Sequence, residues 1–219
     1  RDFAFLYDRL MWDVDYIGWA DYVEGMFERS KVNPRLIADL GCGTGSFCLE
    51  MAKRGYEMIG IDQSVEMLNC AKQKTLDAGA DILYLNQDMT SFERLFRLVN
   101  NYLNPDGLFL FDINSPYKFE QILSTNVFCE NNEEVSYIWQ NSYDKSKKLC
   151  RFDLSFFARE GELYRRFDET HYERCYQIAE IVDMLASAGI NDYAVYAALK
   201  YRKPSKDSDR LFFACKKSG

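Results

Sequence analysis

Apolar residues recur at helical spacing over the first thirty positions. Phe3, Leu6, Tyr7, Leu10 and Met11 share one face, and Tyr16, Trp19, Ala20, Val23 and Phe27 share another. Asp13 to Asp15 separates these two predicted helices. The pattern then changes. Arg35 to Leu40 reads as a short buried strand, followed by a helix from about Ser46 to Arg54 that Gly55 ends. Tyr56 to Ile61 is a second strand, closed by Asp62. Ser64 caps the next helix, with Val65, Leu68, Ala71 and Leu76 on its apolar face and Gly79 at its end. Ile82 to Leu85 is a third strand, and Phe92 to Leu103 a helix. After the turn Asn104-Pro105-Asp106-Gly107, Leu108 to Ile113 is apolar but for Asp112, as strands covered on both faces are.

This alternation predicts an α/β fold, a doubly wound and mostly parallel sheet. Period two then takes over. Val135-Tyr137-Trp139, Cys150-Phe152-Leu154-Phe156 and Leu163-Arg165-Phe167 alternate, with turns at 144–147 and 160–161. They predict an inserted antiparallel sheet of about three strands. A helix follows, with Ile178, Ile181, Val182 and Leu185 on one face and Gly189 after it. Tyr193 to Leu199 and Leu211 to Cys215 close the chain as a strand pair around the turn at 203–207. The expected domains are a core of residues 1–115 and 177–219 and an insert of 116–176. Between Asp88 and Leu108 there is room for one helix only. A doubly wound sheet has a further strand and connection there, about 20 residues more. Either the fold has lost an element or this sequence omits a stretch near Phe92 to Arg94, and omission is the favoured reading.

Composition narrows the function. The 219 residues are 47% hydrophobic, ordinary for a folded chain. The 27 Lys and Arg against 34 Asp and Glu leave a net charge of −7, which weighs against a broad nucleic-acid surface. Seven cysteines without a C-x-x-C pair argue against a secreted disulfide framework and for the cytoplasm. No apolar run approaches the roughly 20 residues of a membrane helix, and there is no signal-peptide pattern. No His/Cys/Asp cluster has metal-ligand spacing, and no G-x-S-x-G occurs.

The sharpest chemical signal is Asp39-Leu40-Gly41-Cys42-Gly43-Thr44-Gly45, between a strand and a helix. Alternate glycines let the backbone turn tightly and approach a ligand, and the helix start offers free N–H groups. A carboxylate at Asp39 favours a cation and would repel a pyrophosphate. The dinucleotide fingerprint G-x-G-x-x-G needs a glycine where Ser46 stands.

The spacing G-x-G-x-G behind an acid resembles motif I of the Rossmann-like S-adenosylmethionine-dependent methyltransferases. Asp62 ends the second strand, where that family places an acid on the ribose hydroxyls. Asn86-Gln87-Asp88-Met89 ends the third, where an acid and the next N–H meet adenine. Asn104-Pro105-Asp106-Gly107-Leu108 resembles the Pro-Gly turn before a late strand. Tyr7-Asp8-Arg9-Leu10-Met11 and Asp15-Tyr16-Ile17-Gly18-Trp19 look like a bacterial branch acting on small molecules, with an antiparallel sheet over the site. Amino-sugar N-methyltransferases look similar in architecture.

The resemblance implies S-adenosylmethionine as cofactor, S-adenosylhomocysteine as product, and transfer to an N or O atom of a small metabolite. It implies cofactor contacts from the loop (Asp39, Gly41, Cys42, Gly43, Gly45). It implies others after the second strand (Asp62, Gln63, Met67), after the third (Gln87, Asp88, Met89), and from Tyr7 and Trp19. Met67, Tyr7 and Trp19 also fit core positions. His171, the sole histidine, and Tyr172 are the candidate bases for a hydroxyl acceptor. Two other readings stay open: a non-catalytic S-adenosylmethionine-binding regulator, and a nicotinamide oxidoreductase, which Ser46 and Asp39 disfavour. Oligomeric state is left open.

Overall fold

The computed structural model describes residues 2–87 and 91–217. Asp88 and Met89 lie outside them. The α/β class expected from the pattern is observed. The chain divides into two compact units, Arg1–Phe109 with Met184–Asp192 and Cys215–Gly219, and Leu110–Asp183 with Tyr193–Ala214.

The first unit begins with helices α1 (Asp2–Leu10) and α2 (Tyr16–Ser30). The Asp15 carboxylate accepts the Gly18 N–H at 2.9 Å and so starts α2 where the sequence breaks its helical pattern. Then come β1 (Leu36–Leu40), α3 (Ser46–Lys53), β2 (Glu57–Asp62), α4 (Val65–Asp77), β3 (Ile82–Asn86) and α5 (Phe92–Tyr102). Strands β1, β2 and β3 pair in parallel, in that spatial order, with Asp39 beside Gly60 and Asp62 beside Asn86.

That register sorts the side chains. Met58, Gly60, Ile82 and Tyr84 share one face, against which α3 and α4 pack. Gly60 leaves the room that the Tyr84 ring and Cys42 occupy. The opposite face is also apolar yet open, with Leu36, Leu83 and Leu85 at 55%, 54% and 43% exposure. Strands apolar on both faces call for two covers, and among the described residues α3 and α4 cover one face. The open face accompanies the residue shortfall: α5 is the one helix between β3 and the next strand, and no strand precedes it there among the described residues.

The second unit holds most of β4 (Leu108–Asn114), a π-helical turn (Lys118–Leu123), β5 (Val127–Asn131), β6 (Val135–Asp144), β7 (Leu149–Glu160) and β8 (Leu163–Arg174). The start of α6 (Ile178–Ser187) and most of β9 (Asp192–Ala197) and β10 (Arg210–Lys216) complete it. One sheet has the order β4-β10-β9, with Phe111 stacked on Phe213 at 4.8 Å. The other, β5-β6-β7-β8, is antiparallel. Phe119, Leu123, Cys150 and Cys175 are buried beneath it, against Phe128 and Trp139.

This antiparallel sheet has four strands, one more than the alternation predicts. The extra strand β5 is an edge strand of five residues, too short for a period-two signal to stand out. Strand β8 runs seven residues beyond Phe167, through the polar stretch up to Arg174. Its length is set by pairing with the long β7 rather than by an apolar face. No described helix is long and apolar enough to cross a membrane.

Candidate cofactor site

The site is built on the loop between β1 and α3. Gly41, Gly43 and Gly45 all have left-handed backbone, with φ of 83°, 54° and 73°. An L-residue would pay roughly 1–2 kcal/mol at each. Gly45 is doubly constrained, because a Cβ there would collide with the Tyr84 hydroxyl and press on Ala71. At Gly41 a Cβ would meet nothing within 4 Å among the described residues, so that side of the loop has room for a ligand.

Strand β2 fixes the loop's shape. The Gly41 and Cys42 N–H groups donate to the Ile61 carbonyl at 2.7 and 3.0 Å. The Gly43 N–H donates to Asp62 Oδ2 at 2.9 Å, and the Ser64 N–H to Asp62 Oδ1 at 2.8 Å. Asp62 thus ties the glycine loop to the start of α4. A carboxylate has about four acceptor positions, and the described residues use two of them, which leaves capacity for hydroxyl groups. Asn86 Nδ2 and the Gln87 N–H hold the Asp62 carbonyl from β3 at 3.1 and 3.0 Å.

Helix α1 closes over the loop. A Cβ built at Gly43 would lie 3.8 Å from the Tyr7 ring. Burial raises the Tyr7 hydroxyl, and the charges of Asp8 and Asp62 add to the shift. Tyr16, at the head of α2, is raised by burial and by Tyr7, while a hydrogen bond with Ser46 opposes the rise. Burial raises the Asp39 carboxyl, which accepts the Cys48 thiol at 3.2 Å. Asp8, Asp39 and Asp62 gather around this loop, a setting that favours a cationic ligand.

The remaining expected residues are placed as follows. Cys42 is buried in the loop, and Trp19 is half-buried on α2. Gln63 and Gln87 are exposed at the ends of β2 and β3. Met67 is half-buried, and its N–H donates to the capping Ser64 hydroxyl at 3.2 Å. His171 and Tyr172 lie exposed on β8, in the second unit, opposite Phe152 and Arg151 of β7. His171 Nε2 lies 3.9 Å from Glu169 Oε2.

Two polar groupings went unread in the sequence. Around the loop, Asp8 bonds Thr44, Ser46 and Lys74. In the second unit, Asn114 Nδ2 donates to both Glu173 oxygens at 2.7 and 3.0 Å, and Arg210 pairs with Asp112 at 2.7 Å. Burial raises the Glu173 carboxyl against the opposing Asn114 hydrogen bond, and raises Asp112 against Arg210. Burial and Arg210 lower the Lys118 ammonium beside them. Asn114 Oδ1 is buried with no hydrogen-bond partner among the described residues. The available signal was Asp112 and Asn114 two apart on one strand, sharing a face.

The comparisons with known proteins agree with this geometry. Residues 37–105 match the methyltransferase-domain family. The whole chain is 35% identical to the "Putative methyltransferase YqeM" of Bacillus subtilis (strain 168), over 97% of that protein. The alignment runs to 245 positions against 219 residues, so that relative carries residues with no counterpart here. An S-adenosylmethionine-dependent methyltransferase crystal structure from Clostridium acetobutylicum ATCC 824 matches with a TM-score of 0.88 at 30% identity. It covers 100% of this chain and 98% of its own. The sugar N-methyltransferase KedS8 from Streptoalloteichus sp ATCC 53650 shares the fold, with a TM-score of 0.76 at 16% identity over 97% and 93% of the two chains.

The chain belongs to the Rossmann-like S-adenosylmethionine-dependent methyltransferases. It is an enzyme of that class, and S-adenosylmethionine is its cofactor. The open side of Gly41 and the spare acceptor capacity of Asp62 fit such a group.

Proposed function

We propose that this enzyme methylates an N or O atom of a small metabolite in the cytoplasm. The observation that carries the cofactor half is the Asp62 carboxylate, bound to the Gly43 and Ser64 N–H groups with acceptor positions to spare. Asp62 holds the ribose hydroxyls, in charge-assisted hydrogen bonds of about 1.5–3 kcal/mol each. Gly41, Cys42, Gly43 and Gly45 let the ligand approach the loop. Asp39 orders that loop and favours the ligand's cationic end. Asp88 and Met89 are assigned to adenine, and Gln63, Met67 and Gln87 to further cofactor contacts. The Tyr7 ring would contact the sulfonium side of the cofactor, worth about 0.5–2 kcal/mol once water is excluded, and Trp19 would add a further contact.

The cofactor supplies an activated methyl on a sulfonium, so the protein's work is positioning and water exclusion. A neutral amine acceptor needs only its lone pair. A hydroxyl acceptor needs a base, and His171 and Tyr172 are the residues assigned to it. Supporting a small acceptor are the net charge of −7, the sugar N-methyltransferase among the fold relatives, and the second unit's polar groups. Seven free thiols suit a reducing compartment.

The test is transfer of a labelled methyl group to matched panels of small amines, small alcohols and RNA. Label entering amines or alcohols supports the reading, and label entering RNA alone overturns it. His171→Ala is expected to slow turnover more than it weakens cofactor binding, and wild-type turnover would remove His171 from the mechanism.

A further inference from the structure

Helix α1 has nine residues, too few to be stable alone in water. Tertiary contacts must hold it. Ala4 and Leu6 supply a small buried apolar footing, at 5% and 7% exposure. The Tyr7 ring lies against Gly43, and side-chain hydrogen bonds and an ion pair run through Asp8. Asp8 Oδ2 pairs with Lys74 Nζ of α4 at 2.6 Å. Asp8 Oδ1 accepts the Thr44 hydroxyl at 2.6 Å and the Ser46 hydroxyl at 3.4 Å. Lys74 Nζ donates to the same two hydroxyls, at 3.2 and 2.8 Å.

Thr44 lies between Gly43 and Gly45, and Ser46 opens α3. One ion pair therefore fastens three pieces: α1, the glycine loop and α4. Ser46 stands where a dinucleotide fingerprint has its third glycine. A glycine there would leave Asp8 and Lys74 only the Thr44 hydroxyl to share. Tyr7 precedes Asp8, so anchoring Asp8 to Thr44 fixes the rotation of α1 and keeps the Tyr7 ring at Gly43.

We propose that Asp8 and Lys74 are positioning residues for cofactor retention: their ion pair, set on the Thr44 and Ser46 hydroxyls, clasps α1 to the loop and sets how fast the cofactor leaves. Neither residue contacts the reacting atoms; both act through Tyr7 and the loop. This rests on the assignment of the loop and Asp62 to the cofactor. Lys74 also balances Asp8 beside Asp39 and Asp62, so its loss leaves like charges together.

The test follows S-adenosylhomocysteine binding and release by stopped flow. The proteins are wild type, Asp8→Asn, Lys74→Met and the swapped pair Asp8→Lys with Lys74→Asp. Each single variant is expected to release the probe about tenfold faster, with association changed by less than about threefold. The swap is expected to recover much of the slow release, which a merely structural role would not give. Raising ionic strength from about 0.01 M to about 0.15 M should narrow the gap between wild type and the single variants. Thermal midpoints report that each variant is folded. Unaltered release in both single variants overturns the clasp alone, and so does a swap that releases as fast as the singles. A wild-type chain that binds no probe overturns the cofactor site itself.

Discussion

Two polar clusters at strand ends can be set side by side. In the first unit, Asp62 accepts from the N–H groups of Gly43 and Ser64, 19 and 2 residues away. In the second, Asn114 meets Glu173 across 59 residues and Arg210 meets Asp112 across 98. The first is assembled from backbone donors that a short strand–loop–helix segment must present. The second is assembled from side chains that meet only once the sheets have formed. Their charge also differs. The loop gathers Asp8, Asp39 and Asp62 against Lys74, whereas the second cluster sets Asp112 and Glu173 against Arg210 and Lys118. A site biased toward acids suits a cationic cofactor, while a balanced one suits a polar, uncharged group.

Breaking the first cluster needs a backbone change. Gly45→Ala combines a φ of 73° with a collision at Tyr84, whose hydroxyl also bonds Thr75 at 2.9 Å. A stability loss of about 3 kcal/mol is expected in urea unfolding, with weaker S-adenosylhomocysteine binding. Breaking the second cluster needs only a side chain. Arg210→Met leaves Asp112 half-buried and unpaired, and about 2 kcal/mol of stability is expected to go. Differential unfolding of the two variants measures the contrast directly.

A smaller effect sharpens it by pH. Burial holds the folded Glu173 carboxyl above its ordinary value. The folded state therefore binds the proton more tightly, and stability falls as pH rises from the unfolded value through the folded one. Glu173→Gln resembles the protonated form. Its thermal midpoint is expected to gain on wild type by a few degrees between about pH 4 and about pH 8. A constant difference across that range would mean that Glu173 titrates normally.

The same contrast explains what the sequence made legible. Short apolar runs and helical periodicity located the parallel strands and their helices, and period two the long strands of the insert, because local covering decides those patterns. The glycine loop and Asp62 were legible because left-handed turns demand glycine and the loop's donors are its own backbone. Strand β5 and the polar end of β8 were not, since partner strands rather than an apolar face define them. Asp8 and Lys74 were equally silent, because an ion pair 66 positions apart leaves no spacing rule. The residue shortfall after β3 was readable by length alone. Leu36, Leu83 and Leu85 are exposed on one face of the parallel sheet, and the alignment with the Bacillus subtilis relative is longer than the chain.

The most direct measurement is a calorimetric titration of wild type and Asp62→Ala with S-adenosylhomocysteine, with NADH as the control ligand. Wild type is expected to bind S-adenosylhomocysteine and not NADH, and Asp62→Ala is expected to stay folded while its affinity falls about a hundredfold. Equal affinity in the two proteins, or binding of NADH alone, would contradict the assignment of the loop and Asp62 to the cofactor.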